Sequence, residues 1–234
     1  MGLIRKMYEK RWMFRSIIPT IWFNFHYLPF RQAVRLPILL YKPKLLACRG
    51  KVVVQADKIR TGMIQLGVPS VSVYPNSGIT FENRGGIIFN GDCTIGNNSF
   101  VSVGETGKVV LGDKFCATSS LKLISYCGIE IGKEVLCGWE CMFLDTDFHK
   151  LTLTDGGSLP AAYGKISIGD GCWLGAKSVI LKNTVLPAHC VAALGSLLNK
   201  RYEIPEKSLV AGQPAALKKT GVYRNSCDDE VVYG

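Results

Sequence analysis

The chain has 234 residues, of which 47% are hydrophobic and 20% are charged, with a formal net charge of +10. This length and composition predict one globular domain with a sizeable core and exclude a disordered chain. Its nine cysteines are odd in number and form no CxxC pair, which disfavours both a secreted disulfide framework and a cysteine zinc site. The opening residues MGLIRKMYEKRW lack the apolar core of a secretory signal. We therefore expect a cytoplasmic protein.

Residues 1–50 are predicted to form a basic, aromatic N-terminal extension. Through residue 60 the chain carries thirteen Lys or Arg residues against two acidic ones, Glu9 and Asp57. The stretch RSIIPTIWFNFHYLPFRQAVRLPILLYKPK mixes these cations with aromatic side chains. That composition suits peripheral contact with an anionic membrane at its inner face, and it equally suits packing onto the protein's own domain. Polar residues and prolines interrupt every window approaching the about 20 apolar residues of a transmembrane span, and no nucleic-acid-binding motif is present.

Beyond residue 50 aliphatic residues recur with a period of six. The clearest series starts at Ile168 and continues through Leu174, Ile180, Leu186, Ala192 and Leu198. Small residues stand four places after its members, at Cys172, Ser178, Thr184, Cys190 and Ser196. A period of six matches neither a helix nor an alternating strand, but it fits a solenoid of short strands whose coils stack about 4.8 Å apart. We expect this solenoid over residues 51–215, followed by a short C-terminal tail at 216–234.

One segment interrupts the repeat. The series through Phe143 would reach Ser167 if it continued unbroken, but the aliphatic positions resume one place later at Ile168. The intervening stretch, about residues 145–165, reads DTDFHKLTLTDGGSLPAAYGK. A polar loop mounted on a rigid scaffold is a common place for an active site, so we predict the active site here.

The IG pairs at Ile95, Ile131 and Ile168, the block CWLGAKSVI and the ending LVAGQPA resemble the hexapeptide-repeat acyltransferase family over about residues 85–220. The resemblance implies an all-β, left-handed parallel β-helix, acetyl-CoA as co-substrate, and a homotrimer whose active sites lie between subunits. Within the family the chain is similar to sugar O-acetyltransferases of the maltose and galactoside type. Its segment FNFHYLPFRQAVRLPIL resembles the extensions of capsule-biosynthesis members.

His149 is the only histidine of the interrupting loop and matches the catalytic histidine of the family. Histidine titrates near neutral pH and can remove the proton of a hydroxyl that attacks a thioester. Asp147 would orient its ring, and Asp145 would bind or orient the acceptor, unless both aspartates only cap turns. His26 and His189 are expected to pack or to be solvated. Although γ-class carbonic anhydrases share this fold and bind zinc through a histidine triad, only His149 lies in a suitable loop, and His26 and His189 match no ligand spacing, so we expect no metal.

The resemblance also carries over positions for the acyl donor. These are Ala176, Leu194, Asn199 and Lys200, with Trp173 as a wall of the donor groove or as a packing residue. The chain departs from the maltose-type pattern in the loop, where Ala161 and Ala162 replace an acidic residue, so we expect a different acceptor.

The sequence therefore predicts an acetyl-CoA-dependent O-acetyltransferase acting on a sugar or on a capsule- or O-antigen-type polysaccharide intermediate. Two alternatives stay open: a catalytically silent scaffold that binds partners or membrane through its extension, and an N-acetyltransferase acting on an amino sugar. Neither the acceptor nor the acyl chain length can be read from the residues.

Overall fold

The computed structural model describes residues 11–228 of the chain. It opens with helices α1 (Arg11–Tyr27) and α2 (Phe30–Ala33). The strands follow in chain order: β1 (Ile38–Leu40), β2 (Lys44–Cys48), β3 (Lys51–Val54), β4 (Ile64–Val68), β5 (Ile79–Asn83), β6 (Gly86–Phe89), β7 (Cys93–Gly96), β8 (Ser99–Val103), β9 (Lys108–Leu111), β10 (Phe115–Ala117), β11 (Lys122–Ser125), β12 (Ile129–Ile131), β13 (Leu136–Cys137), β14 (Met142–Leu144), β15 (Ile166–Ile168), β16 (Trp173–Leu174), β17 (Val179–Leu181), β18 (Val185–Leu186), β19 (Val191–Ala192), β20 (Leu197–Leu198), β21 (Ser208–Gly212) and β22 (Ala215–Thr220).

These strands build a triangular parallel solenoid. Within the described residues, sheet 1 runs β1-β4-β7-β10-β13-β16-β19-β21-β22, sheet 2 runs β2-β5-β8-β11-β14-β17-β20, and sheet 3 runs β3-β6-β9-β12-β15-β18. Each coil therefore passes from sheet 1 to sheet 2 at a first corner and from sheet 2 to sheet 3 at a second corner. All neighbours pair in parallel except β21 and β22, which pair antiparallel and close the C-terminal end of sheet 1.

The six-residue period corresponds to the inward positions of the strands. Ile168, Leu174, Ile180, Leu186, Ala192 and Leu198 are all at most 2% exposed. The small residues four places on lie at the turns, where Ser178 and Ser196 are buried and donate their hydroxyl hydrogen bonds to the carbonyls of Gly175 and Ala193, three residues back. A small side chain fits because each turn must stack on the turn of the next coil, and its hydroxyl satisfies a carbonyl that the sheets leave unpaired.

The solenoid begins at Ile38, before the boundary expected at residue 51. Strands β1 and β2 pair with β4 and β5 and form the first coil together with β3. The extension proper is the helical part that precedes them. Helix α1 packs across the open edge of β1, and Phe23 on α1 is fully buried with its ring 5.1 Å from that of Phe81. One face of the extension therefore packs on the protein's own domain, which is one of the two roles expected for this segment.

Two long insertions leave the regular coils. Residues 69–78 join β4 to β5 at the first corner, and residues 145–165 join β14 to β15 at the second corner. The second insertion spans the stretch in which the hexad series loses its register. The strands on both sides of this insertion keep the regular pairing of the solenoid. Before it, β14 pairs in parallel with β11, and after it, β15 pairs in parallel with β12, where Ile129 and Ile131 align with Ile166 and Ile168.

Candidate functional site

The loop of residues 145–165 encloses a cavity of about 820 Å³ at the second corner. Asp147, His149 and Tyr163 from the loop line it, together with Lys182 from the next coil. His149 is exposed, and within residues 11–228 its ring makes no hydrogen bond. The imidazole therefore stands at the cavity with both ring nitrogens available to a substrate or to a neighbouring molecule.

Asp145 fixes the base of this loop from inside the scaffold. Its side chain is fully buried and accepts four hydrogen bonds, one from the hydroxyl of Ser125 at 2.8 Å and three from the backbone N–H groups of Tyr126, Cys127 and Gly128 at 2.7, 2.9 and 2.6 Å. Converging donors of this kind stabilise a buried carboxylate. Asp145 does not line the cavity, and this arrangement matches the capping role that was the alternative to a catalytic one.

Asp147 and Lys182 hold the neck of the loop closed. The ammonium of Lys182 lies 2.6 Å from Oδ2 of Asp147 and donates a second hydrogen bond, 2.8 Å long, to the carbonyl of Ala161. The N–H of Asp147 also donates to the carbonyl of Ala162 at 2.7 Å. One lysine of the underlying coil thus joins the outgoing and returning arms of the loop, and the carboxylate of Asp147 faces Lys182 rather than His149.

Phe148, which stands between Asp147 and His149, sets the direction of the backbone at His149. Phe148 has a φ of +59°, a left-handed conformation that is uncommon for a residue other than glycine. Its N–H donates to the hydroxyl of Thr146 at 3.1 Å, and its ring packs edge-on against Tyr126 with centroids 5.1 Å apart. Because the backbone of Tyr126 is itself bound by Asp145, the buried carboxylate, the aromatic pair and His149 form one connected unit.

The positions carried over for the acyl donor fall in two places. Ala176 and Leu194 lie at the first corner on successive coils, where the carbonyl of Ala176 accepts a hydrogen bond from Gly195 at 2.8 Å. Asn199 and Lys200 are exposed at the second corner, two coils beyond the loop. None of the four lines the cavity. A single chain therefore does not bring His149 together with Ala176 and Leu194.

Trp173 lies on β16 in sheet 1 with 42% of its surface exposed. A second aromatic wall stands at the first corner, where Tyr74 from the insertion 69–78 packs edge-on against Trp139 and donates a hydrogen bond to Glu140. The hydrogen bond to Glu140 raises the pKa of the Tyr74 hydroxyl. Both residues were missed in the sequence, because Tyr74 reaches Glu140 across several coils and Lys182 binds Asp147 from the adjacent coil, and neither contact follows from a spacing in the chain.

The other two histidines lie outside the cavity. The Nε2 atom of His26 is 2.8 Å from the carbonyl of Cys48, and the ring stacks on Trp22. His189 stands at a turn with a φ of +57°, and its N–H donates to the carbonyl of Asp170. Both positions agree with the packing or solvated roles expected for them.

Comparison with known proteins gives two curated relatives and a set of solved structures. No protein-family model matches the chain. A Klebsiella pneumoniae protein described as an uncharacterized 24.8 kDa protein in the cps region is 29% identical over 158 residues, covering 67% of this chain and 69% of that protein. A probable acetyltransferase of Mycobacterium tuberculosis is 31% identical over 129 residues, covering 53% of this chain and 41% of that protein.

Among solved structures, the crystal structure of the polysialic-acid-specific acetyltransferase NeuO superimposes with a TM-score of 0.51 at 16% sequence identity, covering 82% of this chain and 92% of that one. This superposition confirms the predicted left-handed parallel β-helix fold, and NeuO and the Mycobacterium relative are both described as acetyltransferases. The fold and the relatives support an acyltransferase.

Proposed function

We propose that the protein transfers an acetyl group from acetyl-CoA to a hydroxyl of a sugar or of a surface-polysaccharide intermediate, with His149 as general base. One observation carries the proposal: the loop 145–165 places an exposed, unbonded imidazole on a cavity of about 820 Å³. A rigid solenoid needs no such loop for stability, and the loop is fixed at its base by a buried carboxylate with four donors. Such preorganisation is typical of a catalytic group.

The reaction needs one base and no covalent enzyme intermediate. His149 accepts the proton of the acceptor hydroxyl while the hydroxyl oxygen attacks the carbonyl carbon of the thioester. Backbone N–H groups of an adjacent coil would stabilise the oxyanion that forms. The C–S bond then breaks, the thiolate takes the proton back from the imidazolium, and the products are an O-acetyl ester and the CoA thiol. Asp147 stays paired with Lys182 in this scheme and holds the arm of the loop that carries His149.

The first corner fits the amide-rich arm of acetyl-CoA. Within the described residues the N–H groups of Ala176 and Leu194 make no hydrogen bond, and Leu194 is 74% exposed. Unpaired donors on successive coils can receive carbonyl groups of an extended ligand that lies along the solenoid axis. Lys200, or Lys218 and Lys219 on β22, supply positive charge for the phosphates.

The separation of His149 from these donors supports a homotrimer. His149 lies at the second corner, whereas Ala176 and Leu194 lie at the first corner of the same chain. If subunits pack side by side around a threefold axis, the second corner of one subunit faces the first corner of its neighbour. The site would then be completed between subunits, with the base from one chain and the donor groove from the other.

A glycan acceptor is supported by the composition of the cavity and by the relatives. Tyr163 lines the cavity with 61% of its surface exposed, and Leu151 and Leu159 are exposed beside it, a mixture of aromatic and apolar faces on which sugar rings pack. The Klebsiella relative is described as a protein of the cps region, and NeuO as specific for polysialic acid.

The test is the release of CoA thiol from acetyl-CoA by purified protein across a panel of capsule-type oligosaccharides and lipid-linked sugars. We expect acceptor-dependent release that falls at least about a hundredfold in His149→Ala, with His26→Ala as the matched control at the wild-type rate. The unfolding midpoint of His149→Ala should match the wild type, whereas that of His26→Ala should fall slightly, because this variant loses the contact with the carbonyl of Cys48 and the stacking on Trp22. If acetyl-CoA neither binds nor turns over with any acceptor, the protein is a silent scaffold and the proposal is wrong.

A further inference from the structure

Helix α1 caps the open end of the solenoid with a row of polar side chains. Ser16 accepts a hydrogen bond from the N–H of Lys42, Thr20 accepts one from Leu40, and Asn24 both accepts from and donates to the backbone of Ile38. These three residues are spaced four apart and lie on one face of the helix. Their side chains pair with backbone N–H and C=O groups along the edge of β1, where a further strand would otherwise pair. These hydrogen bonds fix which face of the helix points towards the solenoid.

The fixed orientation leaves a large apolar face outward. The exposed fractions are 46% for Ile17, 78% for Ile18, 43% for Ile21, 45% for Trp22 and 46% for Phe25. These positions follow a helical repeat opposite to the polar row. The face continues onto α2, where Phe30 is 72% and Val34 51% exposed and the rings of Phe25 and Phe30 lie 6.0 Å apart. Contiguous exposed apolar surface of this kind marks an interaction site.

The rim of this face is positively charged, while its centre carries no charge. Residues 16–30, SIIPTIWFNFHYLPF, contain no Lys, Arg, Asp or Glu. Arg31, Arg35, Lys42 and Lys44 come after it in the sequence and are exposed, and Arg35 and Lys42 also donate hydrogen bonds to the carbonyls of Ile59 and Asn76. Over residues 11–60 the sequence has ten Lys or Arg residues against one acid, Asp57. The surface around the apolar face is thus complementary to an anionic partner.

We propose that the outer face of α1 and α2 docks on the surface of an anionic lipid bilayer. A helix that lies in the membrane interface combines an apolar face with cations beside it, and each cation near an anionic bilayer adds to binding. A second copy of the chain is a poorer occupant, because a twofold contact through this face would bring the two cationic rims together. No helix within residues 11–228 has the length and apolarity to cross a bilayer.

The test is co-sedimentation of the full-length protein with vesicles of phosphatidylcholine, with and without phosphatidylglycerol. We expect binding to the anionic vesicles that falls at least about tenfold in the double variant Ile18→Ser with Phe25→Ser, because both side chains would leave the interface. A similar fall is expected in Arg31→Gln with Lys44→Gln, and for the wild type on pure phosphatidylcholine or in high salt.

Two matched controls lie elsewhere on the surface. Val73→Ser removes a side chain that is 66% exposed in the insertion 69–78, and Lys108→Gln removes an exposed cation on β9; both should bind like the wild type. The proposal is overturned if the wild type does not bind anionic vesicles, or if all variants bind equally. It is also overturned if Ile18→Ser instead abolishes a self-association seen in sedimentation velocity, since a second copy would then cover the face.

Discussion

Replacing Asp145 by alanine should destabilise the fold far more than replacing its neighbour Asp147. The change leaves the hydroxyl of Ser125 and three backbone N–H groups without their acceptor. A hydrogen bond to a charged group contributes about 1.5–3 kcal/mol, and a buried donor left unsatisfied costs about 1–3 kcal/mol. Tyr126 and Cys127 are partly exposed and can recruit water, so the two well-buried donors dominate. We expect the free energy of unfolding to fall by about 3–5 kcal/mol.

The matched control is Asp147→Ala, which removes a carboxylate that is 45% exposed and paired with Lys182. Exposed ion pairs contribute about 1 kcal/mol or less, so this variant should unfold close to the wild type. Denaturant titration at one protein concentration gives both values, and limited proteolysis within 145–165 should be faster in Asp145→Ala than in Asp147→Ala. A loss below about 1 kcal/mol for Asp145→Ala would refute the assignment of this residue as the anchor of the loop.

Three further predictions concern the site, and a fourth concerns the buried thiol of Cys172. His149→Gln should keep the wild-type unfolding midpoint while its turnover falls at least about a hundredfold, because the amide cannot accept a proton from the acceptor; equal losses of stability and turnover would indicate a structural role. Lys182→Met should free both arms of the loop, so the KM for the acceptor should rise several-fold and proteolysis within the loop should quicken; an unchanged KM would exclude this role. Mixed oligomers of inactive His149→Ala and Ala176→Trp chains should recover part of the wild-type turnover, since one interface in the mixture would carry both intact residues; no recovery would place base and donor groove in one subunit. Burial raises the pKa of the Cys172 thiol to about 12, so iodoacetamide at pH 8 should modify the exposed Cys227 and spare Cys172 until the protein unfolds; alkylation at equal rates would contradict the burial.

The raised pKa of Cys172 also predicts in which direction the free energy of unfolding changes with pH. The folded state keeps the thiol proton up to a pH of about 12, whereas the unfolded chain releases it near the usual value of about 8.5. The folded state therefore binds more protons in this window, and the free energy of unfolding should fall as the pH rises from about 9 towards 12. Cys172→Ser, in which the hydroxyl does not titrate, should show a shallower decline.

The solenoid could be predicted from sequence because its period is a local property. Each inward residue from Ile168 to Leu198 and each small turn residue repeats at a fixed spacing, and the backbone pairing of stacked coils requires that spacing. The position of the loop also followed from the sequence, since an insertion that is not a multiple of six shifts Ser167 out of the inward position.

Contacts across coils could not be predicted in the same way. Lys182 binds Asp147 and Ala161 only because the path of the loop returns over the next coil, and no spacing in the sequence encodes that path. The start of the solenoid at Ile38 was missed because β1 and β2 lie among the cationic and aromatic residues of the extension, which hide the aliphatic repeat. The polar row Ser16, Thr20 and Asn24 becomes visible only once the edge of β1 beneath it is known.

The most direct measurement of the central claim is the transfer of a labelled acetyl group from acetyl-CoA to the acceptor in a single turnover, by the wild type and by His149→Ala. Unlike thiol release, this measurement separates transfer from hydrolysis. The account predicts a labelled O-acetyl sugar with the wild type and at least about a hundredfold slower labelling with the variant, at equal binding of acetyl-CoA. Label transfer at the wild-type rate in His149→Ala would contradict it.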